Sequence, residues 1–169
     1  MILYAATIFL GAFLLFQVQP IIARLLLPWF GGSAVVWTTC MLFFQSALLA
    51  GYFHGWWTHR FLTRRTRALL HLLLLGLSTA LLPILPPPSM RPTGLSAPVL
   101  PLLLLLVRTV GMPYILLAST TPLLQDWFVE RYPDRDPYRL FSLSNLASLT
   151  ALLSFPLLVE PRLGGTAQA

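Results

Sequence analysis

Long apolar runs broken by short polar or Pro/Gly-rich links divide the chain into five segments of spanning length. The first runs from about residue 2 to 27 and carries no charge before Arg24. The turn Pro28-Trp29-Phe30-Gly31-Gly32-Ser33 predicts its end, with Ser33 placed to cap the next helix. The second covers 34–57. The third, 67–82, is short and stops at Pro83. The fourth covers 98–124 with Pro113 inside it. The fifth, 137–159, starts behind Asp136 with Pro137 in its first turn. The pattern predicts an all-α integral membrane protein, a single domain of five transmembrane helices, because only helices satisfy the backbone internally in lipid.

Composition supports that reading. Of 169 residues 57% are hydrophobic and 9% charged, against about 25% charge in soluble domains. The net charge of +6 comes from arginine alone. Arg60, Arg64, Arg65 and Arg67 fill the link between segments two and three, and Arg131, Arg135 and Arg139 that between four and five. The opposite links hold only Arg91 and, at the edge, Arg24. The positive-inside bias puts the N-terminus in the cytoplasm and the C-terminus outside an inner (plasma) membrane. The first segment lacks a basic leader, so it is expected to remain as a span. No basic stripe alternates with polar surface, which argues against nucleic acid as a partner. Cys40 is alone in an apolar run and offers neither an internal disulfide nor a cysteine zinc site. Trp29, Trp56, Trp57 and Trp127 fall at segment ends, where aromatic side chains anchor to the interface.

Against this apolar background the polar positions stand out. Arg108 is the only charge between Pro92 and Gln125. Counted from the start of its helix it lies ~15 Å deep, where an unpaired charge costs several kcal/mol. With Pro113 and Tyr114 close by, it is a candidate for binding an anionic group. The other reading is an arginine satisfied by Thr109, glutamines, carbonyls and water. Gln17 and Gln19 precede Pro20 in the first segment and form a polar notch with the carbonyl it frees. It is read equally as a cavity lining and as interhelical hydrogen bonding. Asn145 in the fifth segment points to a bond with a neighbouring helix, or more weakly to a ligand. Arg24 and Glu160 lie at matching depth and are expected to pair. Ala47, Gly51 and Gly55 recur at four-residue spacing, as do Ser144 and Ser148, and Ala147 and Ala151. Such stripes let helices approach closely. His54 and His71 fall at similar depth. They read first as hydrogen-bonded side chains and second as axial ligands to haem or a pigment metal. No catalytic triad, paired carboxylates, metal-spaced cluster or phosphate loop occurs, so no enzyme activity is expected.

Several blocks resemble the membrane region of spermidine-synthase-like membrane proteins, the major-facilitator/spermidine-synthase fusions. They are Phe16-Gln17-Val18-Gln19-Pro20, Leu27-Pro28-Trp29-Phe30-Gly31-Gly32-Ser33, the run from Val36 to Gln45, Ser119 to Phe128, and Asp136 to Leu146. The resemblance implies a helical bundle like part of a major-facilitator half. It also implies kinship with proteins whose fused soluble domain would bind an aminopropyl or methyl donor, but no donor-binding motif is present here. The chain ends before a sixth span, and five spans are less than one repeat of an alternating-access transporter. The expected role is a non-catalytic membrane subunit whose partners are the bilayer and other membrane chains or further copies of itself. The alternatives are a transport-type half-bundle moving a small anionic or polyamine-like solute, and an anchor for a separate soluble enzyme.

Overall fold

The computed structural model describes residues 1–80, 82–91 and 98–162, and side chains there except that of Ser89. Among these residues every regular element is helical. α1 is Ile2–Phe30, α2 Ala34–Phe61 and α3 Arg64–Thr79. α4 is Val99–Arg131 and α5 Tyr138–Arg162. A 3-10 turn at Pro88–Met90 lies between α3 and α4. The part of the third predicted segment at Leu81 lies outside the described residues.

Four of the five helices, α1, α2, α4 and α5, are long and apolar enough to cross a membrane. α3 differs from the expected 67–82: it begins three residues earlier and is 16 residues long, shorter than a full crossing needs. Thr63 starts it, its hydroxyl accepting from the Thr66 N–H. The first helix also outruns expectation. Pro28 sits inside it, and the turn narrows to Gly31-Gly32-Ser33. There Gly31 takes the positive φ of 73° that favours glycine, and the Ser33 hydroxyl accepts from Val36 N–H.

α4 continues past the expected Leu124 to Arg131 and so carries Asp126 and Glu130 on a helix rather than in a loop. It is not broken at Pro113. Proline has no N–H to give the Thr109 carbonyl, and the helix absorbs this with one wide π turn at Val107–Gly111. Pro156 sits in the corresponding π turn of α5, Phe155–Val159. Asp136 accepts from the Tyr138 N–H where α5 starts.

α4 is the hub. It packs on α1, on α2 and, over a smaller contact, on α3, while α5 packs on α1. The main core joins Leu15, Ile22 and Leu26 of α1 to Phe43 and Phe44 of α2 and Leu105, Val110 and Tyr114 of α4. Beside it, Ala47, Gly51 and Gly55 are all buried and turn to α4. A Cβ on Gly51 would lie 2.6 Å from Ala118 Cβ. The α1–α5 contact closes over Ala147 and Ala151, both fully buried, whereas Ser144 and Ser148 lie to one side, with the Ser148 hydroxyl donating to the Ser144 carbonyl. Large apolar side chains cover the outside, Leu49, Leu69, Leu100 and Leu157 among them. That distribution is the reverse of a water-soluble bundle.

Candidate functional site

The polar side chains gather in three places. In the first, α1 crosses α4 and α5. Gln19 Nε2 donates to Tyr114 Oη at 2.7 Å. Gln17 Nε2 donates to the Ala151 carbonyl at 3.0 Å and to Ser154 Oγ at 2.9 Å. Ser154 passes its own proton to the same carbonyl. The notch next to Pro20 therefore holds three helices in register, with Tyr114 1% exposed and its ring tilted 55° to that of Phe44, centroids 5.1 Å apart. Gln19 and Tyr114 come together, Gln17 turns to α5 instead, and Arg108 and Asn145 join neither. Both are exposed on the outside of the bundle, and among the described residues neither side chain makes a hydrogen bond or ion pair. Tyr114→Phe is expected to cost about 1 kcal/mol, a typical interhelical bond in lipid, read from the denaturation midpoint in detergent.

The Gln19–Tyr114 bond also fixes the relative height of α1 and α4, which run in opposite directions. Arg24 lies five residues beyond Gln19 and Arg108 six residues beyond Tyr114, about 8 Å and about 9 Å along the same direction. The two arginines thus share a level, roughly 8 Å short of the end of α1 at Phe30. Arg108 lies nine residues in from the start of α4 at Val99, and α4 extends past the end of α1. At the same level Arg24 Nε is 3.9 Å from Glu160 Oε1, and its Nη1 donates to the Glu160 carbonyl.

The second place is a charged knot at the other end, tying α2, α3 and α4. Arg67 is 3% exposed, and its guanidinium donates to Asp126 Oδ2 and, at 2.8 Å, to Glu130 Oε1. Arg64 Nε reaches Glu130 Oε2 at 3.6 Å. His59 Nδ1 lies 2.8 Å from Asp126 Oδ2 and 2.7 Å from Arg67 Nη1, and its tautomer decides whether it donates to the first or accepts from the second. His59, Asp126 and Glu130 have the atoms and spacing to hold a metal ion. The Arg67 guanidinium already occupies the oxygens such an ion would need, so the arrangement reads as an ion-pair clasp. In sequence, Arg64 and Arg67 read as link charges and Asp126 and Glu130 fall beyond the fourth predicted segment, 98–124. The signal available was the i, i+4 spacing of Asp126 and Glu130, which puts both on one helix face.

In the third, His54 and His71 come together, ring centroids 6.3 Å apart. The Thr120 hydroxyl is committed to the Leu116 carbonyl, so His71 Nε2 donates to Thr120 at 3.1 Å and leaves its Nδ1 lone pair without a partner. Both ring nitrogens of His54 are likewise unpartnered. Among the described residues no third metal-ligating side chain completes this pair.

No family model, no curated protein and no solved structure matches the chain.

Proposed function

We propose that the chain is a non-catalytic membrane subunit that packs by its helices into a larger membrane assembly, made with other membrane chains or further copies of itself. The observation that carries this reading is α5. Only 17% of its apolar window is buried, against 39–44% for the other three long helices, and it packs mainly on α1. Its uncovered side carries Ser142, Asn145 and Thr150 among exposed leucines. An amide facing hydrocarbon without a partner is costly, and a neighbouring helix that offers a carbonyl or hydroxyl relieves it. The exposed side of α4, Leu100, Leu104 and Val107, ends at Arg108 and is a second such surface.

The motif resemblance supports kinship with the membrane part of spermidine-synthase-like proteins, and the arginine distribution supports an inner membrane with the clasp end in the cytoplasm. A transport role would need Arg108 beside the glutamines in a shared wet cavity, whereas Arg108 lies exposed on the outside of the bundle. Blue-native electrophoresis and co-purification in mild detergent test the reading. The wild type is expected to run as an assembly, and Asn145→Leu to weaken it roughly tenfold, as loss of one interhelical bond of ~1–2 kcal/mol requires. A wild type that stays monomeric and retains no other chain would overturn it.

A further inference from the structure

A cavity of about 600 Å³ lies between α1, α3 and α4, the size range of a small-molecule site. Leu14, Ile21, Leu72, Leu75, Pro113 and Leu117 make most of its wall. Gly76 borders it on α3, and a Cβ added there meets nothing within 4 Å, so the space is open and not filled by a neighbouring side chain. The few polar groups on its wall share one property. Both amide protons of Gln17 are used on Ala151 and Ser154; its Oε1 has no partner, and the side chain is 5% exposed. The Ser78 and Thr79 hydroxyls give their protons to the Leu75 and Gly76 carbonyls. All three can still accept a hydrogen bond, and none has a proton left to donate. Among the described residues no charged side chain lines the cavity.

An apolar chamber with acceptors only, and no charge, selects its ligand by chemistry. An anion finds no donor there, and an ammonium group finds no carboxylate to replace its lost hydration. A neutral group with a hydroxyl or amide proton satisfies the orphan Gln17 oxygen, while an alkyl chain fills the leucine-lined remainder. We propose that this cavity binds a neutral single-chain amphiphile from the bilayer, with its hydroxyl or amide proton donated to Gln17 Oε1. The site does not depend on the assembly reading, since every residue in it belongs to one chain.

Photolabelling the full-length protein in detergent with a diazirine-bearing dodecanol tests this directly. Label is expected on the α3 peptide that carries Leu72 to Thr79, and Gly76→Phe is expected to lower it roughly tenfold by filling the cavity. Helicity and elution volume should remain those of the wild type, because the new side chain enters open space. Gly76→Leu, a smaller plug, serves as the second variant and should lower labelling in the same direction. Unlabelled dodecanol should compete well, and dodecanoate and dodecylammonium poorly. Undiminished labelling of folded Gly76→Leu or Gly76→Phe protein would overturn the site. Equal competition by the charged analogues would overturn the chemistry assigned to it.

Discussion

Gly51→Leu is expected to abolish the folded bundle, and even Gly51→Ala to destabilise it by about 1–3 kcal/mol, the usual range for overpacking a close contact. A Cβ at this position would lie 2.6 Å from Ala118 Cβ, 2.7 Å from the Ile115 carbonyl oxygen and 3.1 Å from the Ser119 nitrogen. Two of those atoms are backbone, so no rotamer change makes room, and α2 must move away from α4. In lipid there is little hydrophobic force to pull the pair back together, and dispersion between close backbones falls off steeply with separation. Gly55 lies one turn along the same stripe and provides the control. A Cβ there meets Pro122 Cγ at 3.5 Å, an ordinary contact, so Gly55→Ala should fall within about 0.5 kcal/mol of the wild type. Denaturation in mixed micelles, followed by near-UV circular dichroism, compares the two. Equal stability of Gly51→Ala and Gly55→Ala would show that the α2–α4 approach is looser than 2.6 Å implies.

That stripe was legible because small residues at four-residue spacing have one dominant meaning in an apolar helix, and the four long helices were legible from hydropathy. The ends were harder to read. Asp126 and Glu130 look like loop residues on a hydropathy scale, yet glutamate and arginine are good helix formers, and a partner on α3 holds the last turns of α4 in place. Arg67 carries the same charge as Arg60 and Arg65, which suffices for orientation and says nothing about which of them is buried. The Gln19–Tyr114 bond spans 95 residues of sequence, a distance at which no spacing rule operates. The level that Arg108 shares with Arg24 was not legible for a related reason. Depth counted along one helix assumes that all helices end in the same plane, and α4 extends beyond α1. In α5 two small-residue stripes compete, and only side-chain packing on α1 selects Ala147 and Ala151 over Ser144 and Ser148. The outward direction of Asn145 follows from that choice, since it lies two residues from Ala147 and so on the other side of the helix.

Replacing Arg67 by methionine should release α3 from the bundle. The guanidinium is 97% out of solvent by its 3% exposure, and its two-pronged contact with Asp126 and Glu130 is the main polar tie between α3 and α4. Breaking a fully buried ion pair by removing one partner costs about 3–5 kcal/mol; here Asp126 and Glu130 keep 27% and 34% exposure, and water offsets part of that, leaving about 2–3 kcal/mol. Little else holds the helix, because α3 is short, presents Leu69, Leu72, Leu73 and Leu77 outward, and borders an open cavity. Arg67→Lys keeps the charge but reaches only one carboxylate at a time, so it should fall between the wild type and Arg67→Met. Amide hydrogen exchange in detergent reads the effect helix by helix. In Arg67→Met, protection should drop across Arg64–Thr79 and the last turn of α4 while α1 and the middle of α2 stay unchanged. If the carboxylates left behind are the cause, adding Asp126→Leu and Glu130→Leu to Arg67→Met should restore part of the lost protection, since an apolar trio leaves no uncompensated charge at the interface. Unchanged exchange along α3 in the single variant would mean that its leucines, and not the clasp, hold it to α4.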